Sequence, residues 1–165
     1  MPDTLLGYSC DPVCGATVPV DTLSWTHRHI KYAFCSEHCR TRFQRWPHLY
    51  VGEATFGLSE GQLGTSVPKF RRIALAGTPT EEQTERIVHS LLELKGIGEV
   101  RVEGSEVLVN YDLMRVSLSD IENAIIAQDA TLRNHFRDRV ACALVHYSEN
   151  CELDNLSHLA SHYRA

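Results

Sequence analysis

The chain lacks several features, and each lack removes a class of function. No stretch of about 18 consecutive apolar residues occurs in its 165 positions, so no segment is expected to span a membrane. The opening "MPDTLLGYSC" has neither the basic stretch nor the apolar core of a signal peptide, which sets the expectation of a cytoplasmic protein with reduced thiols. Positive charge is in deficit. Sixteen Lys and Arg stand against 21 Asp and Glu, for a formal net charge of -5, and a nucleic-acid partner would call for clustered cations. There is no internal repeat, no low-complexity tract, no glycine-rich phosphate loop and no Ser-His-Asp signature, so no enzyme is expected.

What is present is concentrated cysteine. Cys10 with Cys14 and Cys35 with Cys39 form two Cys-x3-Cys pairs within the first 39 residues, and 20 residues separate the inner two. Four thiols grouped this way can close a tetrahedral shell about one soft or borderline cation, with zinc the default. Pro12 and Gly15 suit a turn carrying the first pair. Ser36 suits the N-cap of a helix carrying Cys39, with Phe43 and Trp46 placed on it to cover the site. A water, a second chain or one of His27, His29 and His38 is an alternative to Cys10 as fourth ligand. A redox dithiol fits less well, because the common motif has two intervening residues rather than three.

"DPVCG" and "YAFCSEHCRTRF", followed by Pro47 and Tyr50, resemble the two halves of a YHS domain, a TRASH-type metal knuckle. The resemblance spans roughly Asp11 to Tyr50 and implies Cys14, Cys35 and Cys39 as ligands; Cys10 lies outside the motif and rests on spacing alone.

Beyond the knuckle, residues 1–51, the glycine-rich stretch 52–68 reads as a linker. Residues 69–134 then follow the order β-α-β-β-α-β. "FRRIALA" suits a strand, "TEEQTERIVHSLLELKG" a helix, and "GEVRVEG" with "SEVLVNYD" a hairpin. "SLSDIENAIIAQD" suits a second helix capped by Ser117, and "ATLRN" a closing strand. The expected class is therefore α+β: a small zinc-knuckle-like unit plus a ferredoxin-like βαββαβ unit, followed by a helical tail at 135–165.

"IALAG", "GIGEVRV", "VLVNYD" and "VSLSDIENAI" in residues 72–132 resemble the heavy-metal-associated (HMA) domain of copper chaperones and P-type metal ATPases. That family holds its ion with a Cys-x2-Cys after the first strand. Here Thr80 and Gln83 stand in those places, and their types suit a helix capping box instead. Oxygen and amide donors hold copper(I) poorly, so this unit is expected to dock proteins, or to serve as a stabilising scaffold with no partner, rather than carry metal. In the tail, Cys142 with His146 and His158 with His162 are each one helical turn apart, with Cys151 between them. The apolar positions Phe136, Val140, Leu144 and Tyr147 are expected to pack on the sheet or pair two chains.

Together these readings predict a cytoplasmic accessory protein of copper or other heavy-metal homeostasis, a chaperone, buffer or sensor. It would bind Zn(2+), or Cu(+) or another thiophilic ion, through Cys10, Cys14, Cys35 and Cys39. The partners expected are a P-type metal ATPase, another HMA-type domain, or a second copy of the chain. A purely structural zinc module in a protein-protein adaptor is the alternative.

Overall fold

The computed structural model describes residues 7–55 and 57–162, with side chains described as far as 156. It is an α+β protein of small antiparallel sheets and helices that divides into two compact units. One comprises residues 1–65 with 153–165, the other residues 66–152.

In the first unit, β1 (Tyr8–Cys10) pairs with β2 (Thr17–Pro19), and β3 (Ser24–His27) pairs with β4 (Ile30–Ala33). Arg28 and His29 turn the second hairpin, both with positive φ (51° and 67°), as a two-residue turn matching the strand twist requires. Helix α1 (Glu37–Arg45) follows, and the Ser36 hydroxyl accepts from the Cys39 N–H at 3.3 Å, the expected cap. The core is aromatic. Phe43 is fully buried, with its ring centroid 4.9 Å from that of Tyr32 and 5.2 Å from that of Phe34, and it stacks on Tyr50.

The stretch expected as a linker is folded into this unit as far as Thr65. Gln62 explains why: its Oε1 accepts from the N–H groups of Gly52 (2.9 Å) and Ser59 (3.0 Å) and from the Ser59 hydroxyl. Glu53 and Gly57 exchange backbone bonds, and a Cβ on Gly52 would lie 2.0 Å from the Gly57 carbonyl oxygen. These glycines permit close backbone approach, which composition alone does not distinguish from flexibility.

In the second unit, β5 (Pro68–Ala74), α2 (Glu81–Glu93), β6 (Ile97–Glu103), β7 (Glu106–Asp112) and α3 (Leu118–Ile126) build a three-stranded sheet of order β5-β7-β6. Alternation along β7 places Val107, Val109 and Tyr111 on the buried face, with Ile87 and Leu91 of α2 and Ile121 and Ile125 of α3 in the same core. The closing strand expected at "ATLRN" is a single bridge, Leu75 to Leu132, flanked by Ala76 N–H to Thr131 and Arg133 N–H to Ala74. Thr80 caps α2 through the Gln83 N–H at 3.2 Å, but the Gln83 amide donates to the Gln128 carbonyl, so the expected reciprocal box is half formed.

The chain then enters α4 (Phe136–His162), whose apolar stripe, expected to pack on the sheet or pair two chains, faces outward. Phe136, Val140, Leu144 and Tyr147 are 80%, 44%, 63% and 70% exposed. Among the sheltered positions are Asp138, Cys142, His146, Glu149 and Leu153, spaced three or four residues apart, with Val145, Asn150, Cys151, Glu152 and Leu156 also less than fully exposed. Glu149 explains the rotation. It is 2% exposed, accepts from the Tyr111 hydroxyl, and takes the Leu118 N–H at 2.9 Å, so it occupies the first turn of α3. Burial, then the bond to Glu149, push the Tyr111 hydroxyl far above its ordinary pKa.

Candidate metal centre

Asp11, Pro12 and Val13 lead from β1 to Cys14 through a tight turn, in which the Gly15 N–H reaches the Asp11 carbonyl at 2.8 Å and Gly15 takes φ 77°. The Asp11 side chain is fully buried and works in two directions. Its Oδ1 accepts from the Val13 N–H (2.8 Å) inside the turn, and its Oδ2 accepts from the Cys35 N–H (2.8 Å), 24 residues away. One carboxylate thus fixes the backbone carrying Cys14 against the backbone carrying Cys35. Cys39 sits one helical turn on, on α1, and is fully buried.

The result is a convergence of sulfur. Cys14 Sγ is 3.5 Å from Cys35 Sγ, which is 3.6 Å from Cys39 Sγ. All three are free thiols. Bonds of about 2.3 Å to a tetrahedral zinc place thiolate sulfurs about 3.8 Å apart, close to this spacing and far from a disulfide of about 2.05 Å. The donor atoms of Asp11, Cys14, Cys35 and Cys39 all lie within 4.8 Å of one another.

Cys10 is not in this group, and the fourth donor nearest the three thiols is Asp11. Strand alternation is the reason. Cys10 ends β1 on the exposed side with Tyr8, its thiol near only the Asp11 carbonyl at 3.8 Å, and the next residue turns inward. The alternative histidines also stand elsewhere. His27 packs edge-on against Phe43, His29 is in the hairpin turn, and neither these nor His38 join the donor group. Asp11 had a legible signal: an Asp before Pro at a turn accepts from the N–H two residues on. Its reach to Cys35 had none.

Three crowded thiols cannot all ionise without a cation. The hydrogen bond with Cys39 pulls the Cys14 thiol down to about 6. Cys39, which shares its proton with Cys14 and is buried, is pushed far up, and burial raises Cys35. A thiophilic ion would replace the remaining protons, coupling binding to proton release.

Trp46 lies at the end of α1, its ring against the guanidinium groups of Arg42 (5.1 Å) and Arg45 (4.4 Å), with its Nε1–H donating to Asp154 at 3.2 Å. It anchors the last turns of α4 within the first unit. In the second unit, Thr80 and Gln83 serve the α2 cap and supply no metal cluster among the described residues. The side chains of His158 and His162 lie outside the described residues.

No family profile matches the chain, and no curated protein matches it. Among solved structures, a solution structure from Bacillus anthracis str. Ames, whose name gives it a provisional copper-ion-binding role, aligns at 24% identity. It covers 42% of this chain and 100% of its own, with a TM-score of 0.39. Among the described residues, no helix is long and apolar enough to cross a membrane.

Proposed function

We propose that the chain is a metal-binding accessory protein of heavy-metal homeostasis, taking zinc, copper(I) or another thiophilic ion at Cys14, Cys35 and Cys39. The observation that carries this reading is the convergence of three free thiols at 3.5 and 3.6 Å on a backbone braced by one buried carboxylate. Both Asp11 oxygens already accept a backbone N–H, so the ion rests chiefly on three sulfurs, an arrangement that suits a soft ion and leaves a coordination position for exchange. The YHS/TRASH-type pattern around these residues supports the same reading.

The second unit acts without a metal, as an HMA-like docking module of ferredoxin-like plan. Its βαββα order and strand order β5-β7-β6 support this, with the Leu75–Leu132 bridge standing where a fourth strand would pair. Its partners are a P-type metal ATPase or another HMA-type domain, and the outward stripe of α4 offers a contact for a second copy. The protein works in the reducing cytoplasm and performs no turnover.

The second reading is a structural zinc module in an adaptor, favoured by the burial of Cys39. Competition with a chelator separates the two. A carrier yields its ion to the chelator with its aromatic near-ultraviolet dichroism intact, and the ion can be returned. Loss of the first unit's fold in step with loss of the ion would establish the staple and overturn delivery.

A further inference from the structure

The outward side of α4 carries a single apolar stripe within the second unit. Phe136, Val140, Leu144 and Tyr147 are all exposed, Phe136 at 80% and Tyr147 at 70%. Their spacings of four, four and three residues keep them on one helical face. Their order is aromatic, aliphatic, aliphatic, aromatic, so the stripe reads the same in side-chain type from either end.

We propose that two copies of the chain pair through this stripe, with their α4 helices antiparallel about a two-fold axis between Val140 and Leu144. Phe136 of each copy then meets Tyr147 of the other. The pairing deepens the second-copy contact named in the proposed function and rests on that part of it alone, since the metal knuckle takes no part.

Three physical points carry it. A two-fold interface must be self-complementary, with residue i meeting j while j meets i. A stripe with aromatic ends and an aliphatic middle meets that condition when reversed on itself. Val140 falls on Leu144 twice, and each end gains an aromatic pair. Charge then fixes the direction. From Phe136 to Ser148 the exposed charged side chains are Arg137 and Arg139, both cationic and both at the N-terminal end of the stripe. Parallel pairing would set these arginines beside their own copies, whereas antiparallel pairing parts them to opposite ends of the contact. Two cations on a chain of net charge -5 are also too few to hold the stripe on an anionic membrane.

Area sets the strength. An aromatic side chain buries about 200 Å², so the exposed parts of Phe136 and Tyr147 alone offer roughly 300 Å². Val140 and Leu144 bring the stripe to the upper part of the range of about 300–600 Å² in which surface patches on monomers are often functional. Doubled across a two-fold axis this gives on the order of 1,000 Å², the lower bound of a specific interface. The dimer is therefore a reversible one, with a dissociation constant in the micromolar range.

The test is sedimentation velocity of the intact, reduced chain, with and without zinc, over a concentration series from about 1 μM to 1 mM. The wild-type chain is expected to pass from monomer to dimer within that range. Val140→Glu and Leu144→Lys, both at exposed positions, are each expected to weaken association about tenfold or more with far-ultraviolet dichroism unchanged. Combining the two sets each new carboxylate against the new ammonium of the other copy, so association is expected to recover toward the wild-type value. A wild-type chain that stays monomeric throughout, or single variants that associate as it does, overturns the pairing. A double variant no stronger than either single overturns the antiparallel arrangement. Zinc content is expected to be equal in all four proteins. A chain that dimerises but takes up no zinc would tell against the knuckle and leave this contact standing.

Discussion

The two units of this chain reach order by opposite means. The second has a sheet with one buried face, two helices covering it, and aliphatic side chains such as Ile73, Ile87, Leu91, Val107, Val109, Ile121 and Ile125 in one core. The first has two short hairpins of three- and four-residue strands and one nine-residue helix, gathered about an aromatic cluster at Phe43. Its interior also contains a charged Asp11, a buried Arg42 and the thiol of Cys39. A unit with a smaller apolar core leans more on polar tethers than one with a continuous core.

Metal removal is the strongest way to break this contrast. Exhaustive chelation is expected to raise amide exchange in the turn carrying Cys14 and at the start of α1, while the rest of the first unit keeps its protection, as a carrier requires. Loss of protection throughout that unit would mark the structural zinc module instead. Protection in β5, β7 and α3 should be unchanged. Equal loss of protection in both units would refute their independence.

A smaller effect isolates the tether from the ion. Asp11→Ala leaves the Val13 and Cys35 N–H groups without their acceptor, at a cost of about 2–4 kcal/mol to the first unit. Metal affinity should fall as well, because the turn holding Cys14 loses its register with Cys35. Thermal unfolding with and without zinc checks both; a variant with wild-type stability and affinity would demote Asp11 to a bystander.

The second unit has its own polar tether, which sharpens the comparison. Glu149→Ala removes the acceptor for Tyr111 and the α3 N-terminus, and about 2 kcal/mol of stability is expected to go with it, in this unit only. The tether also has a pH signature. The folded-state pKa of Tyr111 is raised, so its contribution is fully present below the unfolded value of about 10 and is lost as pH climbs beyond it. Alkaline unfolding monitored by hydrogen exchange should show a step that Tyr111→Phe abolishes.

These tethers also mark how far the sequence could be read. Period-two alternation in "SEVLVNYD" and helical spacing in "TERIVHSLLEL" announced β7 and α2, because both signals are local. Ser36 and Ser117 announced helix starts for the same reason. Asp11 to Cys35 and Glu149 to Leu118 are pairings across 24 and 31 residues, and nothing near either partner encodes the other. In α4 the conspicuous apolar stripe faces outward, one of the two placements its spacing left open. The choice between them was not legible because a buried carboxylate, Glu149, sets the rotation. In residues 52–65, glycine composition suggested slack where a Gln62 side chain gathers the loop.

Cys10 provides the finest test. In the sequence, Cys10 and Cys14 look like a matched pair to Cys35 and Cys39; in the structure, only the second pair comes together, Cys35 just ahead of the Ser36 cap and Cys39 in the first turn of α1. A four-residue spacing brings the thiols of Cys35 and Cys39 together across the capped start of α1, but not across the end of β1, where alternation sends Cys10 outward. Cys10→Ser should therefore leave metal content and affinity unchanged and alter stability by less than about 0.5 kcal/mol. Cys14→Ser, four residues on, should abolish tight binding. A measurable loss of affinity in Cys10→Ser would mean that the ion draws Cys10 inward, and the turn held by Asp11 would have to rearrange to admit it.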